Sequence, residues 1–271
     1  MKRALLLLCL LLPVASWAET VQLAGSTTCL KIVRAAVEEY AHLHAGTTFA
    51  LSGGGSSAGI ARVLEGRTHL GMSSCEPTRE ERQRLLAAHV RILPIARDAV
   101  VPVVSRAVFE GGVRHIRRAE LADIYAGRLR NWRALGGPDR AILVVGKNAY
   151  HGTQRVFMRY LGLDRVPERW LIELDDDRDL LRLLRASDQA IGYVGIGYLD
   201  DSVRALALQL EEGVVAPTPD NIRAGRYPLA RTLYLLVAPG APHEARAFAD
   251  FLRAPAGQAI VRKTGFVPLA Q

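Results

Sequence analysis

Hydroxyls and glycines, rather than acids or metal ligands, are the residues of this chain whose spacing suggests chemistry. Ser52-Gly-Gly-Gly-Ser-Ser-Ala-Gly59 follows a short β-like run, Thr47 to Leu51, and precedes apolar residues at helical spacing, Ile60, Val63 and Leu64. Glycines let the backbone turn tightly and approach a ligand closely. Ser56 and Ser57 stand where a helix begins, with free N–H groups and a positive dipole end. Such a turn suits an anion. Two other segments repeat it: Gly25-Ser26-Thr27-Thr28 ahead of a long amphipathic stretch, and Gly152-Thr153 ahead of another. One serine at a helix start needs no ligand, since it can simply cap the helix. Three such turns point to a common ligand.

The same residues fit other templates. Gly55-Ser56-Ser57-Ala58-Gly59 matches G-x-S-x-G, which would make Ser57 the nucleophile of a secreted serine hydrolase with His151 or His243 downstream. No glycine-rich oxyanion segment precedes it. Gly53-x-Gly55-x-x-Ala58, with Glu76 further on, fits the dinucleotide fingerprint, but an exported protein seldom meets such cofactors. Gly146-Lys147-Asn148 lacks the earlier glycine and the following hydroxyl of a phosphate-loop lysine. His42 and His44 point to different sides of a helix, and no Cys/His cluster has ligand spacing. The reading calls for no cofactor and no metal.

The elements that must hold these turns alternate between strand and helix, which predicts an α/β architecture. Residues 1–18 stand apart: Lys2 and Arg3, an apolar core from Ala4 to Leu12 too short to span a membrane, and Ser16-Trp17-Ala18 form a cleavable signal peptide. Its loss leaves roughly 250 residues, enough for two lobes, and lowers the net charge from +8 to +6. Dispersed arginines without interleaved aromatics exclude a nucleic-acid surface. Cys29 and Cys75 remain, and an oxidising compartment leaves open whether they pair.

Val21–Leu23 reads as a strand, Leu30 to Leu43 as a helix, and Thr48–Leu51, Ile60–Leu64 and Leu70–Met72 as a βαβ unit. Pro94–Val104 and Thr232–Val237 are apolar, β-branched strands. Between them come a short helix closed by Gly127, a strand at Ile142–Val145, a helix bearing Val156, Phe157, Tyr160 and Leu161, a helix after the acidic run Asp175–Asp179, and a strand at Ile191–Val194. Gln209–Arg226 reads as loop-rich, and Ala245–Lys263 as a final helical region.

In order along nearly all of the processed chain, Gly25-Ser-Thr-Thr28, Gly53 to Gly59, Gly71-Met-Ser-Ser74, Arg97-Asp98-Ala99, Leu121 to Gly127, Asn131-Trp132, Lys147 with His151-Gly152-Thr153, Ala190 to Gly195, Tyr227 to Arg231 and Gly257 to Pro268 resemble the periplasmic phosphate-binding component of ABC transporters. The resemblance implies a two-lobed α/β receptor: residues 19–100 plus 233–271 as lobe one, 101–232 as lobe two, and two crossover strands as a hinge that closes on ligand. It implies a periplasmic, monomeric, non-enzymatic protein that captures inorganic phosphate or a related oxyanion for an inner-membrane ABC permease. A divergent oxyanion sensor without transport is the other reading.

Carried onto this sequence, the resemblance places Thr27 and Thr28 in the first anion turn, Ser56 and Ser57 in the second, Ser74 beside them, and Gly152 and Thr153 in the third. Three positions depart from the family pattern. Lys147 stands where the family has arginine, keeping the charge but losing the planar fork. His151 replaces a serine, which predicts binding that depends on pH near neutrality. Ser74-Cys75 replaces a Ser-Asp step whose carboxylate would accept a phosphate proton, with Glu76 as a substitute offset from the pattern.

Overall fold

A computed structural model describes residues 20–269. The predicted signal peptide lies outside these residues. The chain begins with β1 (Thr20–Gly25), α1 (Thr27–Leu43), β2 (Thr48–Gly54), α2 (Gly55–Leu64), β3 (Leu70–Ser73) and α3 (Arg79–Ala87). It then crosses along β4 (Arg91–Val104). The second lobe holds α4 (Arg106–Glu110), β5 (His115–Arg117), α5 (Arg118–Tyr125), β6 (Leu143–Gly146), α6 (Gly152–Leu161), β7 (Leu171–Glu173), α7 (Asp177–Ala186), β8 (Ala190–Gly195), β9 (Arg204–Ala205), β10 (Ala207–Leu210), β11 (Gly213–Val215) and α8 (Pro219–Arg223). The return is β12 (Ala230–Val237), followed by α9 (His243–Arg253) and α10 (Pro255–Lys263).

Two lobes share one sheet of order β2-β1-β3-β12-β4-β8-β6-β7. The long, β-branched β4 makes the join: residues up to Ala99 pair antiparallel with β12, while Val100 to Val104 pair antiparallel with β8. The partner exchange falls between Ala99 and Val100. Each lobe has its own core. Val21, Leu23, Ile32, Val33, Leu70 and Phe248 pack in the first, and Val101, Val144, Phe157, Leu180 and Tyr193 in the second. Each such aliphatic or aromatic side chain contributes roughly 1.5–3 kcal/mol when buried, so either lobe has enough apolar contact to hold its strand ends in place.

The structure differs from the sequence reading at the ends. The final helical region is two helices, because Pro255 has no N–H to continue α9 and opens α10 instead. The loop-rich stretch Gln209–Arg226 also contains part of β10, all of β11 and α8. β10 pairs with the distant β5, a partner that local sequence does not reveal.

Candidate functional site

The strand ends deliver three helix starts to one place between the lobes. Ser26 caps α1, its hydroxyl accepting from Cys29 N at 3.4 Å. α2 is capped differently: Gly54 is its N-cap, in the left-handed region, and no side chain bonds to the helix start. Ser56 is therefore no capping serine. Its Oγ accepts from Ser74 N at 3.0 Å and shares a 3.3 Å hydrogen bond with Ser74 Oγ. α6 likewise starts after His151 without a side-chain cap. Thr28, Ser56 and Thr153 are each the second residue of a helix, and their backbone N–H groups have no acceptor among the described residues.

The lobes meet at these turns. Thr28 Oγ1 and Thr153 Oγ1 share a 3.2 Å hydrogen bond. Ser57 N donates to Tyr150 O at 3.3 Å, and Tyr198 Oη donates to Thr27 O at 2.9 Å. Gly55 and Gly152 permit this approach. A Cβ on Gly55, whose φ is +87°, would stand 2.5 Å from Tyr150 O. A Cβ on Gly152 would overlap Ser56 Oγ and lie 2.8 Å from Ser74 Oγ. Arg155 on α6 closes the rim with a two-pronged bond to Glu81 on α3, at 3.1 and 2.8 Å. Burial works to raise the Glu81 carboxyl, but the bonds from Arg155 and Thr78 outweigh it and hold it below the usual range.

Thr28, Ser56, Ser74, Gly152 and Thr153 thus form one buried cluster. Ser57 joins it through its backbone. Thr27 sits at the rim, lining a small crevice with Asp176 and Tyr198. Lys147 makes no hydrogen bond to the cluster among the described residues. Its Nζ is 3.2 Å from Asp177 Oδ2, with both side chains fully buried, and donates to Asp175 O at 3.0 Å. A 570 Å³ crevice lined by Lys147, Gln154, Arg165 and Glu173 contains none of the clustered hydroxyls.

His151 Nε2 lies 3.0 Å from Asp175 Oδ1. Burial, and then the Lys147 charge, pull its pKa below the ordinary value, against the opposing carboxylate. The titration expected near neutrality therefore moves to acid. Glu76 is exposed and accepts from Tyr234 Oη at 2.8 Å, which turns it away from the role of substitute carboxylate. Cys29 and Cys75 are both free thiols and buried, and burial pushes Cys29 up to about 12. The hydrolase reading finds no support: His151 bonds to Asp175 and His243 to Glu244, and neither reaches Ser57.

Two residues at the hinge went unassigned in the sequence. Arg231 on β12 faces Asp98 on β4. Its Nε donates to Asp98 Oδ2 at 2.7 Å and its Nη1 to Thr153 Oγ1 at 3.0 Å. Asp98 also accepts from Ile196 N of the second lobe at 2.9 Å. Full burial pushes the Asp98 carboxyl up, and the guanidinium opposes that shift. The signal was present: an acid and a base inside two strongly apolar strands must be paired or used.

This two-lobed fold, with hydroxyl-bearing helix starts facing each other across a hinge, is the architecture of a solute receptor. The chain belongs to the PBP superfamily domain family, whose profile matches residues 13–255. The phosphate-binding protein PstS of Bacillus subtilis (strain 168) is 29% identical over 249 residues, spanning 91% of this chain and 80% of that protein. Among solved structures, one described as a phosphate ABC transporter substrate-binding protein with bound phosphate, from Clostridium perfringens, superimposes with a TM-score of 0.85 at 27% identity, covering 93% of this chain and all of that one. An ABC-type phosphate transport receptor from Vibrio cholerae gives 0.74 at 27% identity, covering 92% of this chain and all of that one.

Proposed function

We propose that this protein captures inorganic phosphate, or a closely related oxyanion, between its two lobes and delivers it to an ABC importer. The observation that carries the reading is the convergence of three helix starts whose N2 amides have no acceptor among the described residues, beside the buried hydroxyls of Thr28, Ser56, Ser74 and Thr153. Oriented N–H and O–H donors hold a dehydrated anion without a full counter-charge, and the helix dipoles add to them. The names of the relatives support phosphate as the ligand.

Residues 19–100 plus 233–271 and residues 101–232 are taken as the units that close. Ligand contacts on both units would favour the closed population by their differential affinity. The same reading puts the protein in the periplasm, as a monomer released from its signal peptide, with an inner-membrane permease as partner. It gives the protein no catalytic step. Calorimetric titration with phosphate, followed by competition with sulfate and tungstate, tests the ligand. Phosphate binding that neither competitor displaces at equal concentration supports the reading. Binding of sulfate or tungstate in preference to phosphate overturns the ligand and leaves the receptor fold.

A further inference from the structure

We propose that Arg231, rather than Lys147, supplies the cationic donors that hold the oxyanion, and so couples the ligand to the hinge. This rests on the reading of the cleft as an oxyanion site. Lys147 is already committed, its ammonium answered by Asp177 and by the carbonyl of Asp175 in a fully buried setting. Drawing it out would leave Asp177 as a buried charge without a partner, since neither Asp177 oxygen accepts a hydrogen bond from any other described residue.

Arg231 is placed differently. A guanidinium has five N–H groups in a rigid plane. Nε bonds to Asp98 Oδ2, and Nη2 lies 2.6 Å from the same oxygen without forming a directed hydrogen bond. Nη1 reaches Thr153 Oγ1. The side chain is 4% exposed, so its remaining N–H groups are withdrawn from water. Buried donors without acceptors are destabilising, and an anion oxygen beside Thr153 would answer them.

The bond from Nη1 also sets the direction of the neighbouring hydroxyls. Thr153 Oγ1 accepts from Arg231, so its own proton is free to be given to Thr28 Oγ1, 3.2 Å away. Thr28 can then turn its proton toward a ligand. A permanent charge at one end thereby polarises a chain of donors that ends in the cleft. The other face of the guanidinium is fixed by Asp98, which accepts from Ile196 N across the hinge. Both crossover strands and the second lobe therefore meet at this one cation, and its contact with ligand is complete only when the lobes are closed.

The test compares Arg231→Lys with the double variant Lys147→Met/Asp177→Asn, which removes the other buried pair as a unit. Phosphate affinity by calorimetry and unliganded melting temperature are the two readouts. Arg231→Lys keeps a cation beside Asp98 but loses the fork. It is expected to weaken phosphate binding tenfold or more while the unliganded protein keeps its cooperative melt. The Lys147→Met/Asp177→Asn protein should bind within threefold of wild type. If Arg231→Lys does not fold, Asp98→Asn/Arg231→Gln removes both hinge charges together and should show the same tenfold loss. Wild-type affinity in the hinge variant, or a tenfold loss confined to the Lys147 variant, overturns the proposal and leaves the receptor reading intact. A wild-type protein that binds neither phosphate nor sulfate overturns both.

Discussion

Replacing Gly152 by alanine separates closure from folding. The methyl group would overlap Ser56 Oγ and stand 2.8 Å from Ser74 Oγ and 3.1 Å from Cys75 N, all in the opposite lobe. Ordinary contact lies near ~3.5 Å, so the closed lobes must part by roughly 0.5–1 Å or Ser56 must rotate. Parting resembles overpacking, at about 1–3 kcal/mol. Rotation gives up the Ser56–Ser74 hydrogen bonds of 3.0 and 3.3 Å, again about 1–3 kcal/mol. Either route weakens ligand binding by about 5- to 150-fold, at 1.4 kcal/mol per tenfold. The fold should be spared, because Gly152 opens a helix at ordinary φ and its methyl would face solvent once the lobes separate. Calorimetry with phosphate reads the first quantity and thermal unfolding without ligand the second. Unchanged affinity would refute the closed contact, and a melting temperature that falls in proportion would show that the clash lies within a lobe.

Glu81→Gln keeps the cap of α3 but removes the charge that Arg155 grips, and should weaken phosphate binding by about 5- to 30-fold, the loss of ~1–2 kcal/mol from a half-buried charged pair. Because the Glu81 carboxyl is held below its ordinary 4.5, that advantage is full above this value and fades as acid protonates the group, so the affinity ratio of wild type to variant should shrink toward one on titration to low pH. His151 has a lowered pKa, so any pH dependence in the ratio of phosphate affinities for wild type and His151→Gln should centre on the acid side of 6.5. Below 6.5 the unfolded chain takes up this proton first, and the melting temperature of wild type should fall more than that of the variant as pH drops through the lowered value. Thiol labelling of the processed protein in denaturant without reductant should find both Cys29 and Cys75 free.

The long elements were legible because their burial is periodic: α1 buries Ile32, Val33, Ala36 and Tyr40 on one face, and β4 and β12 are apolar for most of their length. α3 was missed for the opposite reason. Apart from Leu85, Leu86 and Ala87 it is charged or polar, and Leu85 alone is buried, so no apolar period exists. Its start was nevertheless written in the sequence, since Thr78 and Glu81 form a capping box. In the site, the hydroxyl turns were readable because each pairs glycine with Ser or Thr at a helix start. The fate of Lys147 was not, because it follows β6 while its partner Asp177 opens α7, and the two meet only through folding. The same is true of Glu81 with Arg155 and of Asp98 with Arg231, pairs that the crossover brings together from distant segments.

The most direct test of the oxyanion cleft is titration of phosphate into the wild-type protein and, in parallel, into Ser56→Asp. The substitution sets a carboxylate among amides and hydroxyls that are buried when the lobes meet, where like charge excludes an anion. The account predicts saturable one-site binding for wild type and none for Ser56→Asp, with both proteins melting cooperatively. Equal phosphate binding by the two would contradict it, because the anion would then lie somewhere other than between these helix starts.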